Sequence, residues 1–574
     1  MRKKIILLTL TLSVSFSAFS QKELWWLYTG YNSDIPGFPA NHGSIRKVDF
    51  DGQNETIVHT FDSINGKLPY ELEKLFLASN GKLYGTASRG GFSIPNSSLH
   101  DGAGVLFEYD LILNTFNVLT FFGTEPLPTA TVPKAGVIEN AGVLYGTTSG
   151  YGSIYKYNLV TEATSFGAQI PNFNNHQNEI TGELMKATNG MIYGTTRRLS
   201  SCPDSSPFLG AIARFNPANN SFTILHPFYC VPTEEGWAPT GGLVEGVAGK
   251  LYGTTALGGI HYGATANAPY GSGILFEYNI ATNMYTKKID FDIDTNGYLP
   301  GPLTLGANGK LYGLLSGYYN AQTPEGSIMG SLYEYDIPTG TMTVLHDFTW
   351  DEAGGAMQGT LLKGSDGNLY GSHKRGIFRF NPTTNQSVNI LESPQVQNLI
   401  EVCRKPSYHF FETDTFEPCV DTPFSFDVQN TNATSYVWKK NDQIVPSQTT
   451  AILNFPSITA ADSGDYVCEM TNECGTTVTM ALHIEVGCLG IEEMAAYQNK
   501  ITLYPNPAKD VLHVKLPPNH SIKVVRCAIF NMLGQRVYDD SSYASINTSS
   551  FNSGIYQVVL KTDKGNWVGK FVKE

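Results

Sequence analysis

One short stretch of the sequence has the residue types and spacing of a calcium site. Asp292, Asp294 and Asn296 place oxygen ligands at every second residue before a glycine, as the front of a calcium loop does. The twelfth position of such a loop is Leu303, where an EF-hand requires a bidentate Glu. The segment 61–66 has similar turn residues at an equivalent place in a repeated unit. We therefore interpret the stretch as a turn, with calcium binding as the alternative, and expect no other cofactor.

Three carboxylates could contribute to acid–base catalysis, since they lie on predicted strands that could face the central channel of a β-propeller, the fold predicted below. They are Glu139, Glu183 and Glu245. Glycosidases of the β-propeller type use paired carboxylates at separations that set the mechanism. No spacing marks two of these residues as a pair, and the chain has no Gly-x-Ser-x-Gly or His-Glu-x-x-His sequence. No catalytic residue is assigned, and a protein without enzymatic activity is favoured.

Three histidines occupy the same position of a repeated unit, two residues before a phenylalanine. They are His59, His226 and His346. Equivalent positions of a repeat lie in different structural units, so these side chains cannot converge on one metal ion. A structural role is expected for all three.

Aromatic residues in long loops are the candidates for ligand binding. The residues assigned to this role are Phe92, Tyr262, Tyr270, Tyr318 and Tyr319. Exposed rings suit the apolar faces of sugars or peptide side chains. The alternative is that each ring packs against its own loop. The expectation that these loops share one face favours binding.

The elements that position these residues follow from a repeat that runs through the first 400 residues. A Leu-Tyr-Gly-Thr-like phrase precedes a second phrase such as Leu106–Asp110 in each of seven copies. The tyrosines lie 56, 61, 48, 59, 60 and 58 residues apart, at positions 28, 84, 145, 193, 252, 312 and 370. Four short strands in each period, separated by Asn-Gly and Asp-Gly turns, predict an all-β fold. We predict a seven-bladed β-propeller over residues 21–395, with an open β-solenoid as the alternative.

The blade topology predicts where the loops lie. If the first strand of each blade is innermost, the loops between strands 2 and 3 and the crossovers between blades project from one face. Five of the seven loops between strands 2 and 3 are long, and loops on a rigid scaffold are where binding residues occur. The first unit has no innermost strand before Leu24, so a strand from the other end of the propeller is expected to supply it.

The repeat resembles a family of exported bacterial tandem-repeat proteins of the GloVer type. Residues 144–148 and 251–255 read Leu-Tyr-Gly-Thr-Thr, and residues 273–279 read Gly-Ile-Leu-Phe-Glu-Tyr-Asn. The resemblance implies export and a repeat architecture, and it implies no activity.

The charge and the N-terminal segment limit the possible functions. The formal net charge is −13, which repels phosphate backbones, so no nucleic-acid partner is expected. The basic start and the apolar stretch from Ile5 to Phe19 are typical of a secretory signal over residues 1–20, cleaved near Ser20. No later stretch has 18 apolar residues, so no transmembrane segment is predicted. Disulfides are permitted in an exported protein.

Residues 400–488 have the pattern of an immunoglobulin-like β-sandwich. Cys419, Trp438 and Cys468 have the spacing of the B, C and F strands, and Tyr466 stands two residues before the last of them. This pattern predicts a disulfide between Cys419 and Cys468. Cys202 and Cys230, which lie in one repeat unit, predict a second bridge. A further bridge is expected between Cys403 and either Cys474 or Cys488.

Residues 497–574 are similar along their whole length to the C-terminal sorting domain of type IX secretion cargo. The elements that carry the resemblance are an opening Tyr-Pro-Asn-Pro and a later Ser-Gly-Ile-Tyr, with the key residues Tyr504, Pro505, Asn506, Pro507, Gly554 and Tyr556. It implies passage through the outer membrane by the type IX machinery, and release or attachment to the cell surface. From the residues alone this segment is a small β-sandwich, in which Cys527 is expected to be a buried free thiol.

Together these patterns predict an exported or surface-attached binding or adhesion protein. Its partner would be an extracellular glycan or protein, held by the loop-rich face of the propeller. A secreted polysaccharide hydrolase or lyase that uses channel carboxylates is one alternative, and a non-catalytic structural surface protein is the other.

Overall fold

The structure is a computed structural model. It describes residues 22–29, 42–67, 73–91, 102–124, 127, 130–149, 152–170, 179–180, 182–197, 208–229, 235–259, 271–292, 297–317, 328–355, 357, 359–393, 396, 398–408, 415–428, 432–487, 501–516, 523–531, 535–562 and 565–574. The chain divides into two compact units, residues 22–404 and the remainder. Both units are built from β-strands, which confirms the predicted all-β class.

The first unit contains thirty strands and one short helix among its described residues. The first sixteen strands are β1 (Lys22–Tyr28), β2 (Ser44–Asp49), β3 (Thr56–Thr60), β4 (Phe76–Leu77), β5 (Leu83–Ala87), β6 (Val105–Asp110), β7 (Thr115–Phe121), β8 (Ile138–Asn140), β9 (Val143–Thr148), β10 (Ser153–Asn158), β11 (Ala163–Gln169), β12 (Glu179–Ile180), β13 (Met185–Lys186), β14 (Ile192–Arg197), β15 (Phe208–Asn216) and β16 (Ser221–Tyr229).

The remaining elements of this unit are β17 (Trp237–Pro239), β18 (Val244–Val247), β19 (Lys250–Leu257), β20 (Ile274–Asn279), β21 (Met284–Asp290), β22 (Thr304–Leu305), β23 (Leu311–Ser316), β24 (Ile328–Asp336), β25 (Thr341–Thr349), α1 (Trp350–Ala353), β26 (Leu362–Lys363), β27 (Leu369–His373), β28 (Gly376–Asn381), β29 (Gln386–Glu392) and β30 (Ile400–Cys403).

These strands form seven antiparallel sheets, numbered here in chain order. Sheet 1 has the order β3-β2-β1-β30, sheet 2 is β4–β7 and sheet 3 is β8–β11. Sheet 4 contains β12–β16, sheet 5 contains β17–β21, sheet 6 is β22–β25 and sheet 7 is β26–β29. Each sheet therefore repeats one pattern, in which a short first strand pairs with the Leu-Tyr-Gly strand and two longer strands follow.

The burial of the strands explains the repeated sequence. In sheet 2 all five residues of β5 are buried, whereas the outer strand β7 alternates between exposed and partly buried residues. A strand that is buried on both faces lies between two neighbouring layers and therefore has a continuous apolar or small-residue sequence. The outer strand faces water on one side and alternates accordingly.

The glycine of Leu-Tyr-Gly-Thr makes room for an aromatic ring of the third strand. A Cβ atom added at Gly253 would lie 2.5 Å from Cζ of Phe276, and one added at Gly371 would lie 2.4 Å from Cζ of Phe378. Two sheets are exceptions: sheet 4 has Ala213 opposite Gly194, and sheet 1 has Trp26 opposite Arg46. A Cβ at Gly194 would meet only Leu184 Cδ2 at 3.2 Å and Ile180 Cγ2 at 3.5 Å.

The first sheet is completed by a strand from the far end of the unit. Strand β30 pairs antiparallel with β1, with Trp25 opposite Ile400 and Glu23 opposite Val402. Strand β30 therefore has the place in sheet 1 that β4 has in sheet 2. This confirms the expectation that a strand from the other end supplies the missing strand of the first repeat. Residues 400–403 were expected at the start of the immunoglobulin-like segment, and they instead extend the repeat unit beyond residue 395.

The second unit contains fifteen strands and one 3₁₀ turn among its described residues. They are β31 (Thr415–Phe416), β32 (Phe424–Asp427), β33 (Ser435–Lys440), β34 (Gln443–Ile444), β35 (Ile452–Phe455), a 3₁₀ turn (Ala460–Asp462), β36 (Gly464–Asn472), β37 (Gly475–Val478), β38 (Leu482–Ile484), β39 (Thr502–Tyr504), β40 (Val511–Lys515), β41 (Val524–Asn531), β42 (Arg536–Asp540), β43 (Ser545–Asn547), β44 (Gly554–Thr562) and β45 (Gly565–Lys573).

Residues 415–487 form one large and one two-stranded sheet around Trp438. The large sheet has the order β31-β38-β36-β33-β34, with β37 paired to β36, and the small sheet is β32-β35. Trp438 is 1% exposed, and its ring lies 6.4 Å from that of Phe426 on the small sheet. Tyr466 Oη donates a hydrogen bond of 2.7 Å to Asp462 O, the contact that the tyrosine-corner pattern predicts.

The predicted disulfide between Cys419 and Cys468 is wrong. Cys468 is a buried free thiol, whereas Cys419 is disulfide-bonded. The physical reason is the position of β31, which pairs in parallel with β38 in the sheet that also contains Cys468. The N–H of Gly487 donates to Pro418 O, so Cys419 lies near the end of β38 rather than on the facing sheet. Phenylalanines of β32 fill the core there instead.

The other cysteines have different outcomes. Cys403 and Cys474 are each disulfide-bonded. Cys488, Cys202 and Cys230 lie outside the described residues. Cys527 is buried and free, as expected.

Residues 501–574 form two further sheets, β39-β40-β43 and β42-β41-β44-β45. Their core includes Leu512, Ile529, Val558 and Phe571. The alternation of buried and exposed residues in β40 is that of a strand with one face in a sandwich core.

Candidate functional site

One repeat position is shared by all seven sheets: the residue before the buried aliphatic side chain that leads into each first strand. The aliphatic residues are Leu75, Val137, Leu184, Leu243, Leu303, Leu361 and Leu399, all buried. The residues before them, from sheet 2 to sheet 7 and then sheet 1, are Lys74, Gly136, Glu183, Gly242, Pro302, Thr360 and Asn398. Five of these seven line a cavity together with residues of other sheets. We call the seven residues the axial ring.

Four side chains of the axial ring form two pairs. Lys74 Nζ lies 3.3 Å from Glu183 Oε2, although the two residues belong to sheets 2 and 4. Gly136 of sheet 3 lies between them in sequence order, and a Cβ atom added there would be 3.1 Å from Lys74 Cβ. On the other side, Thr360 Oγ1 donates to Asn398 Oδ1 at 3.2 Å. Sheets 5 and 6 contribute Gly242 and Pro302 and leave their part of the ring without a polar side chain.

A cavity of about 360 Å³ lies beside the bare part of the ring. Its lining combines residues that enter the first strands of sheets 4 to 7 with residues at the ends of the second strands. The polar side chains are Glu183, Thr240, Ser316, Thr360 and Asn398, and the apolar side chains are Ala256, Leu299, Pro300, Pro302, Leu314 and Met357. The second strand of a sheet ends beside this cavity, and the first strand begins beside it. The connections between the second and third strands of the sheets therefore start at this end.

A second cavity of about 350 Å³ shares Glu183 with the first. It is lined by apolar residues of sheets 1, 2, 3 and 7, together with Lys74, Glu183 and Glu401. Glu183 therefore contributes to both cavities, and Lys74 lines the second.

Two of the three candidate channel carboxylates join neighbouring sheets instead of facing a substrate space. Glu139 of sheet 3 accepts hydrogen bonds from Ser79 N at 2.7 Å and Ser79 Oγ at 2.6 Å in sheet 2. Glu245 of sheet 5 accepts in the same way from Thr188 N and Thr188 Oγ1, both at 2.8 Å, and from Gly249 N at 2.6 Å. Burial opposes ionisation of Glu245, but these bonds hold its pKa below its ordinary value.

The same clasp recurs between sheets 7 and 1. Ser365 N and Ser365 Oγ donate to Glu401 at 2.7 and 2.5 Å. Sequence reasoning missed Glu401 as a member of this group, although it stands two residues after Leu399, as Glu139 and Glu245 stand after their own aliphatic residues. Alignment of the units on that buried residue would have identified it.

Two of the three repeat histidines stack on a ring of the next sheet, and the third packs within its own strand, in line with a structural role. The imidazole of His59 lies parallel to the ring of Phe116 at 3.7 Å, and that of His226 lies parallel to Tyr285 at 4.0 Å. In each case the partner belongs to the outer strand of the next sheet. Burial lowers the pKa of His59 and of His226 from its ordinary value. His346 packs edge-on against Phe348 and has Nε2 3.3 Å from Glu352 Oε1.

Three of the repeat tyrosines donate hydrogen bonds to carboxylates of the third strands. Tyr252 Oη donates to Glu277 Oε2 at 2.7 Å, and Lys250 Nζ lies 3.0 Å from the other oxygen of the same carboxylate. Tyr84 and Tyr312 make the same contact with Glu108 and Glu334 at 3.2 Å. Burial raises the pKa of each of these tyrosines, so the phenols remain protonated donors.

The calcium candidate lies mostly outside the described residues. Asp294 and Asn296 are not described, and Asp292 O accepts a hydrogen bond of 3.0 Å from Gly297 N, as in a turn. In the equivalent segment of sheet 1, Asp62 Oδ1 accepts from Ile64 N and Asn65 N at 2.7 Å. Among the residues that the structure describes, no cluster of three or more His, Cys, Asp or Glu side chains could hold a metal ion.

The aromatic loop residues assigned to ligand binding lie outside the described residues. They are Phe92, Tyr262, Tyr270, Tyr318 and Tyr319. The strands that hold these loops are described, and Leu314, Ser316 and Ala256 at the ends of β23 and β19 line the axial cavity.

The Tyr-Pro-Asn-Pro element lies on the surface of the C-terminal sandwich and is fixed to its last strand. Tyr504, Pro505, Asn506 and Pro507 are all exposed. Asn506 Nδ2 donates to Lys570 O at 3.2 Å, and Asn506 Oδ1 accepts from Val572 N at 2.8 Å. Both peptide bonds that precede the prolines are cis. The element therefore presents a defined exposed surface.

The Ser-Gly-Ile-Tyr element starts β44 at Gly554 and places Tyr556 in the core. Tyr556 stacks on Phe571 with ring centroids 5.4 Å apart, and its hydroxyl donates to Asn552 O at 2.7 Å. Tyr556 thus ties β44 both to the last strand and to the loop that precedes it.

Two protein families match parts of the chain. Residues 147–376 match the Gloeobacter/Verrucomicrobia repeat, and residues 502–574 match the secretion system C-terminal sorting domain. Both resemblances seen in the sequence are thereby confirmed. The sorting domain indicates export, a cell-surface or extracellular location, and interaction with the type IX secretion machinery. No helix among the described residues is long and apolar enough to cross a membrane.

Solved structures similar to the chain are distant from it. A nidogen/laminin complex is 14% identical, with a TM-score of 0.32, over 52% of this chain and 96% of the other. The extracellular domain of a putative one-component system from B. thetaiotaomicron is 13% identical, with a TM-score of 0.19, over 93% of this chain and 85% of the other. A putative gluconolactonase is 14% identical, with a TM-score of 0.23, over 37% and 63%. No curated protein matches the chain.

Proposed function

We propose that the chain is an exported recognition protein that binds an extracellular glycan or protein through the loop-bearing end of a seven-bladed β-propeller. The observation that carries the proposal is the axial cavity, which lies at the end of the sheets where the long loops begin. A rigid scaffold that presents several loops around a concave centre is a common arrangement for a binding site.

The propeller itself is part of the proposal. Hydrogen bonds link each of sheets 1 to 7 to the next, and two of them bear on closure. Asn398 Nδ2 of sheet 1 donates to Glu73 O of sheet 2 at 3.2 Å, and Ser365 of sheet 7 donates to Glu401 of sheet 1. Together with the pairing of β30 with β1, these bonds support a ring in which both ends of the unit share one blade.

The remaining domains follow the sequence prediction with one change of boundary. Residues 1–20 are a signal peptide, the propeller extends to residue 404, an immunoglobulin-like sandwich follows up to residue 488, and residues 497–574 are the sorting domain. The sandwich around Trp438, with the corner formed by Tyr466, supports the immunoglobulin-like assignment. It would act as a spacer between the propeller and the sorting domain.

The alternative of a polysaccharide hydrolase has less support from the described residues. Such an enzyme requires two carboxyl groups at a defined separation. Glu139 and Glu245 accept hydrogen bonds from the adjacent sheet, and Glu183 is paired with Lys74. No described observation favours a purely structural role over recognition.

Purified mature protein applied to an array of glycans and extracellular matrix proteins tests the proposal. Each compound is also incubated with the protein and analysed for released sugar. Saturable binding without product formation is the expected result. Release of sugar that is abolished by Glu183→Gln would favour the hydrolase, and the absence of both binding and product formation would contradict recognition.

A further inference from the structure

The chemistry of the axial cavity limits what it can bind. Five polar side chains line it, and most of their hydrogen-bond donors are already used within the protein. Ser316 Oγ donates to Met357 O at 3.1 Å. Thr240 Oγ1 donates to Pro300 O at 2.8 Å and lies 2.9 Å from Thr254 Oγ1, which leaves it one acceptor position. Thr360 Oγ1 donates to Asn398 Oδ1, and Asn398 Nδ2 donates to Glu73 O. A hydroxyl has one donor and two acceptor positions, so what remains for a ligand is mainly acceptor capacity.

The charge of the cavity is balanced. Glu183 is the one charged side chain in its lining, and Lys74 lies 3.3 Å from the carboxylate. A cationic ligand would meet the field of this ammonium group, and an anionic ligand would meet the carboxylate and the acceptor oxygens. A neutral ligand that donates hydrogen bonds fits both conditions.

The cavity also has apolar walls. Ala256, Leu299, Leu314 and Met357 form walls without polar side-chain atoms, beside the acceptor-bearing residues. The volume of about 360 Å³ falls within the range of roughly 300–1,000 Å³ that small-molecule sites occupy. A ligand for this site therefore needs hydroxyl donors on one side and C–H surface on another, within the size of one or two sugar rings.

We infer that the axial cavity binds a neutral sugar unit at the end of a glycan chain, with Glu183, Thr240 and Ser316 accepting hydrogen bonds from its hydroxyl groups. The inference rests on the proposed recognition function and specifies its ligand class. It places the ligand in the axial cavity, among side chains of sheets 4 to 7 and of sheet 1.

Binding of the full-length mature protein to neutral oligosaccharides, measured by titration calorimetry, tests the inference. The variants are Glu183→Gln, which removes the charge and half of the acceptor capacity, and Ser316→Ala, which removes one acceptor. Glu139→Gln is the matched control. It makes the same chemical change at a carboxylate that bonds to Ser79 and lies outside the cavity. Thermal melting of each variant shows whether it is folded.

About a tenfold loss of affinity in Glu183→Gln and a smaller loss in Ser316→Ala, with affinity retained in Glu139→Gln, is the expected result. Unchanged affinity in both cavity variants, with loss of binding in a variant that lacks the loop tyrosines, would overturn the axial site and leave the recognition function intact. Binding of lysine-rich peptides but of no neutral sugar would overturn the ligand class. An absence of binding to any compound would contradict the inference and the proposed function together.

Discussion

The two units of the chain bury their apolar residues in different ways. In the repeat unit, strands such as β5 and β23 are buried on both faces, so each sheet is held by its neighbours. In the C-terminal unit, strands such as β36 and β44 alternate between buried and exposed residues, so each sandwich has its own core. The repeat unit therefore depends on contacts between sheets, and the sandwiches depend on contacts within a domain.

This difference affects where each unit is sensitive to change. Residues that join neighbouring sheets, such as Glu401 and Asn398, belong to the last few residues of the repeat unit and are distant in sequence from their partners. A unit held in this way should lose stability when its last strand is removed. It should not require the sandwiches that follow.

The largest expected effect comes from removing β30. A chain that ends at residue 396 loses the pairing of β30 with β1 and the burial of Ile400 and Val402, whereas a chain that ends at residue 408 keeps both. With Leu399, which is also removed, three buried aliphatic side chains at roughly 2 kcal/mol each and several hydrogen bonds at about 1 kcal/mol each predict a loss of more than about 5 kcal/mol. Denaturant unfolding of both chains, with Cys403→Ser in the longer one, measures the difference. Equal midpoints would mean that β30 is dispensable.

The next effect concerns the glycine under the aromatic ring. Gly253→Ala places a methyl group 2.5 Å from Phe276 and should cost about 1–3 kcal/mol of unfolding free energy through overpacking. Gly194→Ala is the internal control, since Ala213 leaves space in sheet 4. The control should change the stability by less than about 1 kcal/mol, because the reduced freedom of the unfolded chain offsets a mild contact. Similar losses at both positions in thermal melting would contradict the packing explanation.

A moderate effect is expected on acidification of the repeat unit. Burial lowers the folded-state pKa of His59 and His226, so the folded protein binds fewer protons than the unfolded one just below the ordinary value of about 6.5. The stability associated with the neutral, buried imidazoles is fully present above that pH and is lost as the pH falls through the folded-state pKa values. His59→Gln with His226→Gln should flatten the fall in melting temperature between pH 7 and pH 5.

The groups around these histidines set the control for that experiment. Asp62 and Glu235 are the carboxylates that favour the charged imidazoles of His59 and His226, respectively, and both remain in the double variant. A pH profile that keeps its full slope in the double variant would assign the acid sensitivity to carboxylates instead.

The smallest effect is expected from a single clasp between sheets. Ser79→Ala removes the hydroxyl donor to Glu139 but keeps the donor from the backbone N–H of residue 79. Because the clasp is exposed to water, the loss should be about 1 kcal/mol or less. Asp539→Asn, which breaks an exposed ion pair with Arg526 in the C-terminal unit, gives the comparison within a sandwich. A much larger loss for Ser79→Ala would mean that the clasps hold the ring more strongly than their exposure indicates.

The repeat unit could be predicted from the sequence because its information is present seven times. The strands Val143–Thr148 and Ser153–Asn158 contain the Leu-Tyr-Gly-Thr phrase and its partner phrase, as the predicted four-strand repeat requires. The axial ring was not predicted, since Lys74, Gly136 and Glu183 differ in type and no single unit shows that they share a position. Their relation becomes visible only when the buried residue that follows each of them is aligned.

The disulfide of the immunoglobulin-like segment could not be predicted correctly, although every residue of the expected pattern is present. Cys419, Trp438 and Cys468 have the expected spacing, but spacing does not determine which sheet a strand joins. Strand β31 pairs with β38 in the sheet of Cys468, and β32 takes the facing position. Burial raises the pKa of the free Cys468 thiol to about 12, so this residue should resist alkylation at pH 8 until the sandwich unfolds.

The central claim is that the loop-bearing end of the repeat unit recognises an extracellular partner. The most direct test is the affinity of the mature protein for the strongest compound found on the array, compared with a variant in which Tyr262, Tyr270, Tyr318 and Tyr319 are all replaced by Ala. At least tenfold weaker binding by a variant that melts like the native protein is the predicted result. Equal affinity of the two proteins would contradict the claim and move the binding surface elsewhere on the chain.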